Sequence, residues 1–190
     1  MAAFRYDVDP VPTRAPLEIL LRAHRPHDAQ EQQHRARMLE LLRTPGDPFV
    51  RSHFDPGHFT ASAFVLSADE SALLLIHHAK FDAWMQPGGH IEAGDADVLG
   101  AARREVLEEV GLADLPLACD GLFDLDVHPI PARPSEAAHE HFDVRFLFRV
   151  DDPAPRLAGE IALARWVPLR EIARGGFDRS VARAVEKLTG

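Results

Sequence analysis

Three glutamates near the middle of the chain have the types and spacing needed to bind a metal ion. Glu105, Glu108 and Glu109 fall at positions i, i+3 and i+4 of a stretch rich in helix-forming residues. Their negative charges repel one another, and the repulsion grows in a partly dry cleft where the effective dielectric constant falls. A cluster of carboxylates suits a hard divalent cation such as Mg²⁺ or Mn²⁺. Taken alone, the cluster is equally typical of a solvated helix surface.

A glycine-rich turn just before these glutamates favours the metal interpretation. Residues 87–97 include three glycines and cannot form a regular helix. Such a turn can bring backbone carbonyl groups and a phosphate close to the carboxylates. A helix is predicted over 98–110, and Gly111 stands where a left-handed residue would end it.

The whole stretch resembles the signature of the Nudix hydrolases, which include the MutT-like pyrophosphohydrolases. That signature runs Gly, five residues, Glu, seven residues, then Arg-Glu-apolar-x-Glu-Glu-x-Gly-apolar. Gly89 matches the first glycine, and residues 104–112 match the entire second half. Asp95 replaces the intermediate glutamate, and eight residues rather than seven separate it from Arg104. We place the extra residue in the turn before the helix, and we assign Asp95 no role in metal binding.

The resemblance implies a set of metal ligands and a reaction. Glu105, Glu108 and Glu109 would coordinate divalent cations, Mg²⁺ or Mn²⁺, and the backbone carbonyl of Gly88 would add a ligand. Glu108 and Glu109 are the catalytic candidates within this set. Metal ions beside a diphosphate neutralise its charge and lower the pKa of a bound water, which then attacks phosphorus.

Other charged residues are predicted to support the turn or to complete the catalytic group. The resemblance implies that Arg104 pairs with acidic residues and holds the turn against the helix. Glu92 either bonds to backbone amides of the turn or approaches a metal through water. Many family members also take a general base or a further ligand from a late loop. Glu160 is the first candidate for that role and Glu140 the second, with an ordinary surface glutamate as the alternative at Glu160.

Histidines are predicted to lie at the mouth of the site. His139 and His141 would share one face of a strand, an arrangement that permits zinc binding. They lack the His-Glu-x-x-His spacing that places two imidazoles on one helical face. We therefore favour contact with a phosphate or a base. The residues predicted to bind substrate are His90, His141 and Arg145.

The order of apolar runs predicts an α/β fold. Two runs joined by a short polar turn predict a hairpin, and residues 142–150 alternate as in a half-buried strand. The result is a mixed sheet between helical layers, in agreement with the Nudix α/β/α sandwich that the resemblance implies. Strands are predicted over 59–67, 72–78, 117–128, 142–150 and 161–168, with a closing helix over 178–188 capped by Asp178.

The first part of the chain lies outside the resemblance. We divide the chain into an N-terminal helical extension, residues 1–50, and a Nudix hydrolase domain, residues 51–190. The extension is predicted to contain helices over 17–23 and from Asp28 to about residue 43. It either caps the sheet or serves as a dimer or substrate-lid element.

Composition restricts the class of partner and the compartment. The chain has 190 residues and a net charge of −9 without a basic run, so nucleic-acid polymers are not expected partners. Cys119 is its only cysteine, which excludes an internal disulfide and favours the cytoplasm. No apolar run approaches membrane-spanning length, so no membrane partner is expected. A homodimer is left open.

The sequence therefore predicts a Mg²⁺-dependent hydrolase of phosphorus-containing acid anhydrides. It would cleave the pyrophosphate bond of a nucleoside diphosphate linked to another group. The alternative is a catalytically idle protein of the same fold that binds a nucleotide and regulates a partner. The intact glutamates Glu105, Glu108 and Glu109 argue for turnover.

Overall fold

The computed structural model describes residues 13–78, 82–151 and 161–190. Within these ranges the chain forms five helices and seven strands, numbered here in chain order. They are α1 (Arg14–Ala23), α2 (Ala29–Leu41), β1 (Gly57–Ser67), β2 (Ala72–His78), β3 (Ala83–Met85), β4 (Gly88–His90), α3 (Val98–Val110), β5 (Asp124–Ile130), β6 (His139–Val150), β7 (Ile161–Pro168), α4 (Leu169–Ile172) and α5 (Arg179–Thr189).

The strands form one mixed sheet centred on β1. β1 pairs in parallel with β6 along its full length, from Gly57 opposite Glu140 to Ser67 opposite Val150. It also pairs antiparallel with β2 at one end and with β4 at the other. β5 extends the sheet beyond β6, and β3 and β7 both pair with β2. The long parallel pair fixes which side chains of β1 and β6 share a face.

Helices cover both faces of this sheet. On one face, Phe59 of β1 and Val144 of β6 belong to an apolar cluster that α1, α2 and α3 complete. On the other face, Phe64 of β1 and Leu73 of β2 pack with residues of α5. The predicted mixed sheet between helical layers is confirmed.

The helix of the motif begins and ends at the predicted residues. Asp97 caps its first turn, because Oδ1 accepts a hydrogen bond of 2.7 Å from the amide of Gly100. Gly111 ends the helix in the left-handed conformation with φ of 70°. Val106 and Val110 are fully buried against the sheet. Part of the preceding turn, which had no predicted strand, pairs with β1 as β4.

The strand predicted over 117–128 is shorter than expected. Regular pairing begins at Asp124, and Leu117 makes only an isolated bridge to Phe148. Between them Gly121 turns the chain with φ of 74°. Leu117, before this turn, is exposed and does not extend the strand.

The two N-terminal helices pack on the sheet. Asp28 caps α2 as predicted, with Oδ1 2.7 Å from the amide of Glu31. The carboxylate of Glu31 is fully buried, and its Oε1 accepts from the Leu125 amide of β5 at 3.1 Å. His34 Nδ1 lies 3.0 Å from the Leu125 carbonyl. These bonds tie α2 to the edge strand β5. Across the described ranges, no helix has both the length and the apolar character needed to cross a membrane.

Candidate active site

Glu109 lies against the glycine-rich turn. Its Oε2 accepts a hydrogen bond of 3.0 Å from the amide of Gly88. Gly88 passes so close to β1 that a Cβ there would lie 2.2 Å from Cβ of Ser62. Burial raises the pKa of Glu109 to about 7, although the bond from Gly88 opposes this shift. A cation beside the carboxylate would favour its ionised form.

Glu105 packs against the next glycine of the turn. A Cβ at Gly89 would lie 2.6 Å from Oε1 of Glu105 and 2.8 Å from its Cδ. The missing side chain at Gly89 therefore provides the space that the carboxylate occupies. Burial raises the pKa of Glu105 above its ordinary value, and the neighbouring Arg104 guanidinium lowers it in part. Gly89, the first glycine of the signature, thus provides the space for Glu105, which belongs to the second half of the signature.

Arg104 connects the turn to the helix. Its Nε and Nη2 bind the two oxygens of Asp95 at 2.9 and 3.0 Å, and Nη2 also donates to the His90 carbonyl at 2.8 Å. Asp95 is buried, and its Oδ2 also accepts from the amide of Glu92 at 2.8 Å. Asp95 therefore anchors the turn, a role that sequence analysis did not assign to it. The sequence did contain one signal for this role, because Asp95 stands where the Nudix signature has its intermediate glutamate.

The three glutamates of the motif do not form one compact cluster. The side chain of Glu108 is 55% exposed, and its Oε2 lies 3.1 Å from Arg104 Nη1. The same nitrogen binds Oε1 of Glu105 at 3.0 Å. Glu105 and Glu109, each packed against a glycine of the turn, could hold a cation. Because Arg104 pairs with both Glu105 and Glu108, either of these two carboxylates would have to share or leave that guanidinium to bind it.

A cleft of about 140 Å³, lined by both polar and apolar side chains, opens beside the two glycines. On its floor, Asp143 of β6 accepts hydrogen bonds from Thr60 at 3.1 Å and from Ser62 at 2.7 Å, both on β1. A ligand in this cleft would reach the turn on which Glu105 and Glu109 are seated. Residues lining the cleft include Ser62, Gln86, Gly88, Gly89, His141 and Asp143.

The predicted histidines His90 and His141 lie together with a third, His58. Their ring centroids are 4.9 to 5.2 Å apart, and His141 lines the cleft. Burial lowers the pKa of His58 and of His90 to about 4 and that of His141 to about 2. All three rings are therefore neutral at pH 7. Sequence analysis did not single out His58, whose only signal was a polar residue at the start of an apolar strand.

Arg145 is buried rather than placed at the mouth of the site. Its Nε lies 2.7 Å from Oδ2 of Asp143, and its Nη1 lies 3.1 Å from Oδ2 of Asp124. Its Nη2 lies 3.3 Å from Asp126. This guanidinium is occupied by three carboxylates, and its contact with substrate stays a prediction. The strand that carries Asp143 and Arg145 is also buried on both faces, and not half-buried as predicted.

A residue of the last helix completes this ionic cluster. Arg183 of α5 is fully buried, with Nε and Nη2 at 2.9 and 2.8 Å from the two oxygens of Asp124. Ion pairs with Arg183 and Arg145 hold the pKa of Asp124 below its ordinary value although burial opposes ionisation. The cluster fastens α5 to β5 behind the cleft. Nothing in the local sequence around Arg183 indicated this contact.

The remaining predicted acidic residues have different surroundings. The side chain of Glu92 is 67% exposed and lies 4.0 Å from Arg104 Nη1. The carboxylate of Glu140 forms an ion pair with Arg37 of α2. Glu160 lies outside the described residues, and its role as general base stays a prediction.

Comparison with known proteins places this architecture in a family. The profile of the NUDIX domain matches residues 56–188, more than half of the chain. A probable DHNTP pyrophosphohydrolase of Lactococcus lactis subsp. cremoris is 28% identical over 133 residues, covering 68% of this chain and 76% of that protein. The chain therefore belongs to the Nudix family, and the prediction of a Nudix-type hydrolase is confirmed.

Solved structures share the fold at lower sequence identity. A Caenorhabditis elegans Ap4A hydrolase, in a binary complex, has a TM-score of 0.54 and 18% identity, and the match covers 69% of this chain and 94% of that one. The Escherichia coli dihydroneopterin triphosphate pyrophosphohydrolase has a TM-score of 0.53 and 17% identity, with 68% and 92% covered. These likenesses confirm the predicted fold.

Proposed function

We propose that this chain is a pyrophosphohydrolase that uses Mg²⁺ or Mn²⁺ to cleave a nucleoside diphosphate linked to another group. One observation carries the proposal. The partly buried carboxylates of Glu105 and Glu109 lie against two consecutive glycines, and both glycines line the cleft.

The donor set fits a hard cation. Burial raises the pKa of both carboxylates, so the protein alone satisfies their negative charge incompletely. Oxygen ligands match the preference of Mg²⁺ and Mn²⁺, and the Gly88 carbonyl and Glu108 would complete the set. When bound, the metal supplies charge neutralisation on the diphosphate and a water of lowered pKa.

The protein's own residues orient this chemistry. Arg104 holds the turn through Asp95 and the His90 carbonyl, and so fixes the glycines against which the carboxylates lie. The amide of Gly88 orients the carboxylate of Glu109. In the cleft, Asp143 is held by hydroxyl donors of Thr60 and Ser62 and shapes a polar floor for the substrate.

The substrate class is a small nucleotide or nucleotide conjugate. The names of the relatives suggest a panel that includes dihydroneopterin triphosphate and Ap4A. ADP-ribose belongs to it as well, because a structure of the Nudix domain of Shewanella oneidensis NrtR, with a TM-score of 0.50, contains that ligand. The net charge of −9 disfavours a polyanionic polymer as substrate.

The test is a hydrolysis screen over this panel and the common nucleoside triphosphates, with and without Mg²⁺. Product masses identify the bond that is cleaved. We expect turnover of one substrate class that is lost in a chelator and in Glu109→Gln.

The matched control is Glu40→Gln, which removes an exposed carboxylate of α2 away from the turn. This variant should retain full turnover. Nucleotide binding without hydrolysis in the wild-type protein would contradict the proposal and favour a binding role. Turnover that persists in Glu109→Gln would contradict the assigned site.

A further inference from the structure

Three strands bring three imidazoles together beside the cleft. His58 lies on β1 directly opposite His141 of β6, and His90 of β4 lies opposite Thr60, two residues along β1 from His58. One ring nitrogen from each histidine falls within 4.8 Å of the other two. Among the described residues this is the one group of three possible ligands with such spacing, and it includes no carboxylate.

One nitrogen of the group lacks a partner. His58 is 1% exposed, and its Nδ1 lies 3.2 Å from the carbonyl of His53, to which it donates. Its Nε2 is therefore the lone-pair nitrogen of the neutral ring. This atom is buried and has no hydrogen-bond partner in the described part of the chain. An unsatisfied buried polar atom is costly, and a bound cation would satisfy it.

The three imidazoles favour a different metal ion from the one that the glutamates favour. Neutral imidazole nitrogen suits Zn²⁺ and similar transition metals, whereas Mg²⁺ prefers oxygen. In a tetrahedral zinc site with Zn–N bonds of about 2.0 to 2.1 Å, the nitrogens lie about 3.4 Å apart. In the structure, the ring nitrogens of His58, His90 and His141 lie at most 4.8 Å apart. They would therefore have to approach one another by at most about 1.4 Å, and small side-chain rotations are sufficient for that movement.

We propose that His58, His90 and His141 bind a divalent transition-metal ion of the Zn²⁺ type. The site is separate from the glutamates of the motif. Three protein ligands leave a fourth position for water or a ligand oxygen, as in catalytic zinc sites. His141 lines the cleft, so an oxygen at that position would come from water or from a phosphate in the cleft. The hydrogen bond from His58 to the His53 carbonyl would orient the buried ligand.

The test is calorimetric titration of Zn²⁺ into the full chain, without an affinity tag and stripped of metal. A background carrying Glu105→Gln and Glu109→Gln removes the carboxylate site. We expect this background to bind one Zn²⁺. Adding His141→Gln should weaken binding by at least about 100-fold, because loss of a mere supporting contact already costs 10- to 100-fold.

The matched control in the same background is His27→Gln, which removes an exposed histidine of the N-terminal segment. Its Zn²⁺ affinity should be unchanged. Absence of Zn²⁺ binding in the carboxylate-free background would overturn the proposal. Equal affinities with and without His141→Gln would overturn it as well.

X-ray absorption at the zinc edge provides a readout that depends on no histidine variant. In the carboxylate-free background, a first shell at about 2.0 to 2.1 Å together with outer-shell scattering from imidazole ring atoms would support the site. A first shell without imidazole scattering would overturn it. Because the protein need not turn over any substrate, neither measurement depends on the proposed pyrophosphohydrolase activity.

Discussion

Replacing Gly89 by alanine tests whether the position of the Glu105 carboxylate controls activity. The added Cβ would lie 2.6 Å from Oε1, whereas ordinary contact begins near 3.4 Å, so the carboxylate must move by about 0.8 Å. Gly89 is not among the glycines with positive φ, so alanine brings no backbone strain. The atom that must move is the end of a flexible side chain, and we expect the fold to persist.

We expect kcat/KM of Gly89→Ala to fall by about 100-fold, because a shift of about 1 Å in a group that positions reactants costs about that much. This loss corresponds to about 2.7 kcal/mol of transition-state stabilisation. Steady-state kinetics on the substrate found in the screen, at saturating Mg²⁺, give the value. The Tm should stay within a few degrees of that of the wild-type protein.

Gly94→Ala is the matched control, because it adds the same methyl group to the same turn with nothing within 4 Å. It should retain wild-type kcat/KM. Full activity of Gly89→Ala would refute the assignment of Glu105 as a positioned ligand. Equal losses in the two variants would show that the turn, and not the carboxylate, responds to the added methyl.

Two further predictions concern stability. Arg183→Ala removes the bidentate partner of the buried Asp124 carboxylate, which keeps its ion pairs with Arg145 and Lys187. It should therefore lower the free energy of unfolding in urea by about 3 kcal/mol, the low end for a broken buried pair. Arg179→Ala on the same helix removes a half-exposed ion pair and should cost less than about 1 kcal/mol, so equal costs would contradict this account. In a chelator, folded Glu109 has a pKa of about 7 against an ordinary value of 4.5, so the folded state binds more protons between these values. Stability should therefore fall as pH rises from 4.5 towards 7, and a Glu109→Gln variant with the same profile of Tm against pH would contradict the shift.

Local signals in the sequence were sufficient for the motif helix. A stretch rich in helix-forming residues follows the glycine-rich turn and ends at Gly111, and α3 spans the predicted residues 98–110. The same holds for β7, which spans the predicted residues 161–168. The match to the signature also identified Glu105, Glu109 and the glycine-rich turn as parts of one motif.

Tertiary structure alone decided how the polar residues of the sheet are used. Alternation in residues 142–150 indicated one polar face, but it could not show that Arg145 on that face would bind Asp124 and Asp126 of β5, the aspartates that Arg183 also binds. Arg145, expected at the mouth of the site, is consequently buried and bound by aspartates.

Asp95 and His58 illustrate the same limit. The partner of Asp95 is Arg104, across the turn and the start of the helix. The two histidines beside His58 lie on β4 and β6, and the register of these strands against β1 brings them there. Local sequence determines the helix and its caps because those interactions are made within one or two turns. The cleft and the group of histidines depend on pairing between distant segments, which only the folded chain specifies.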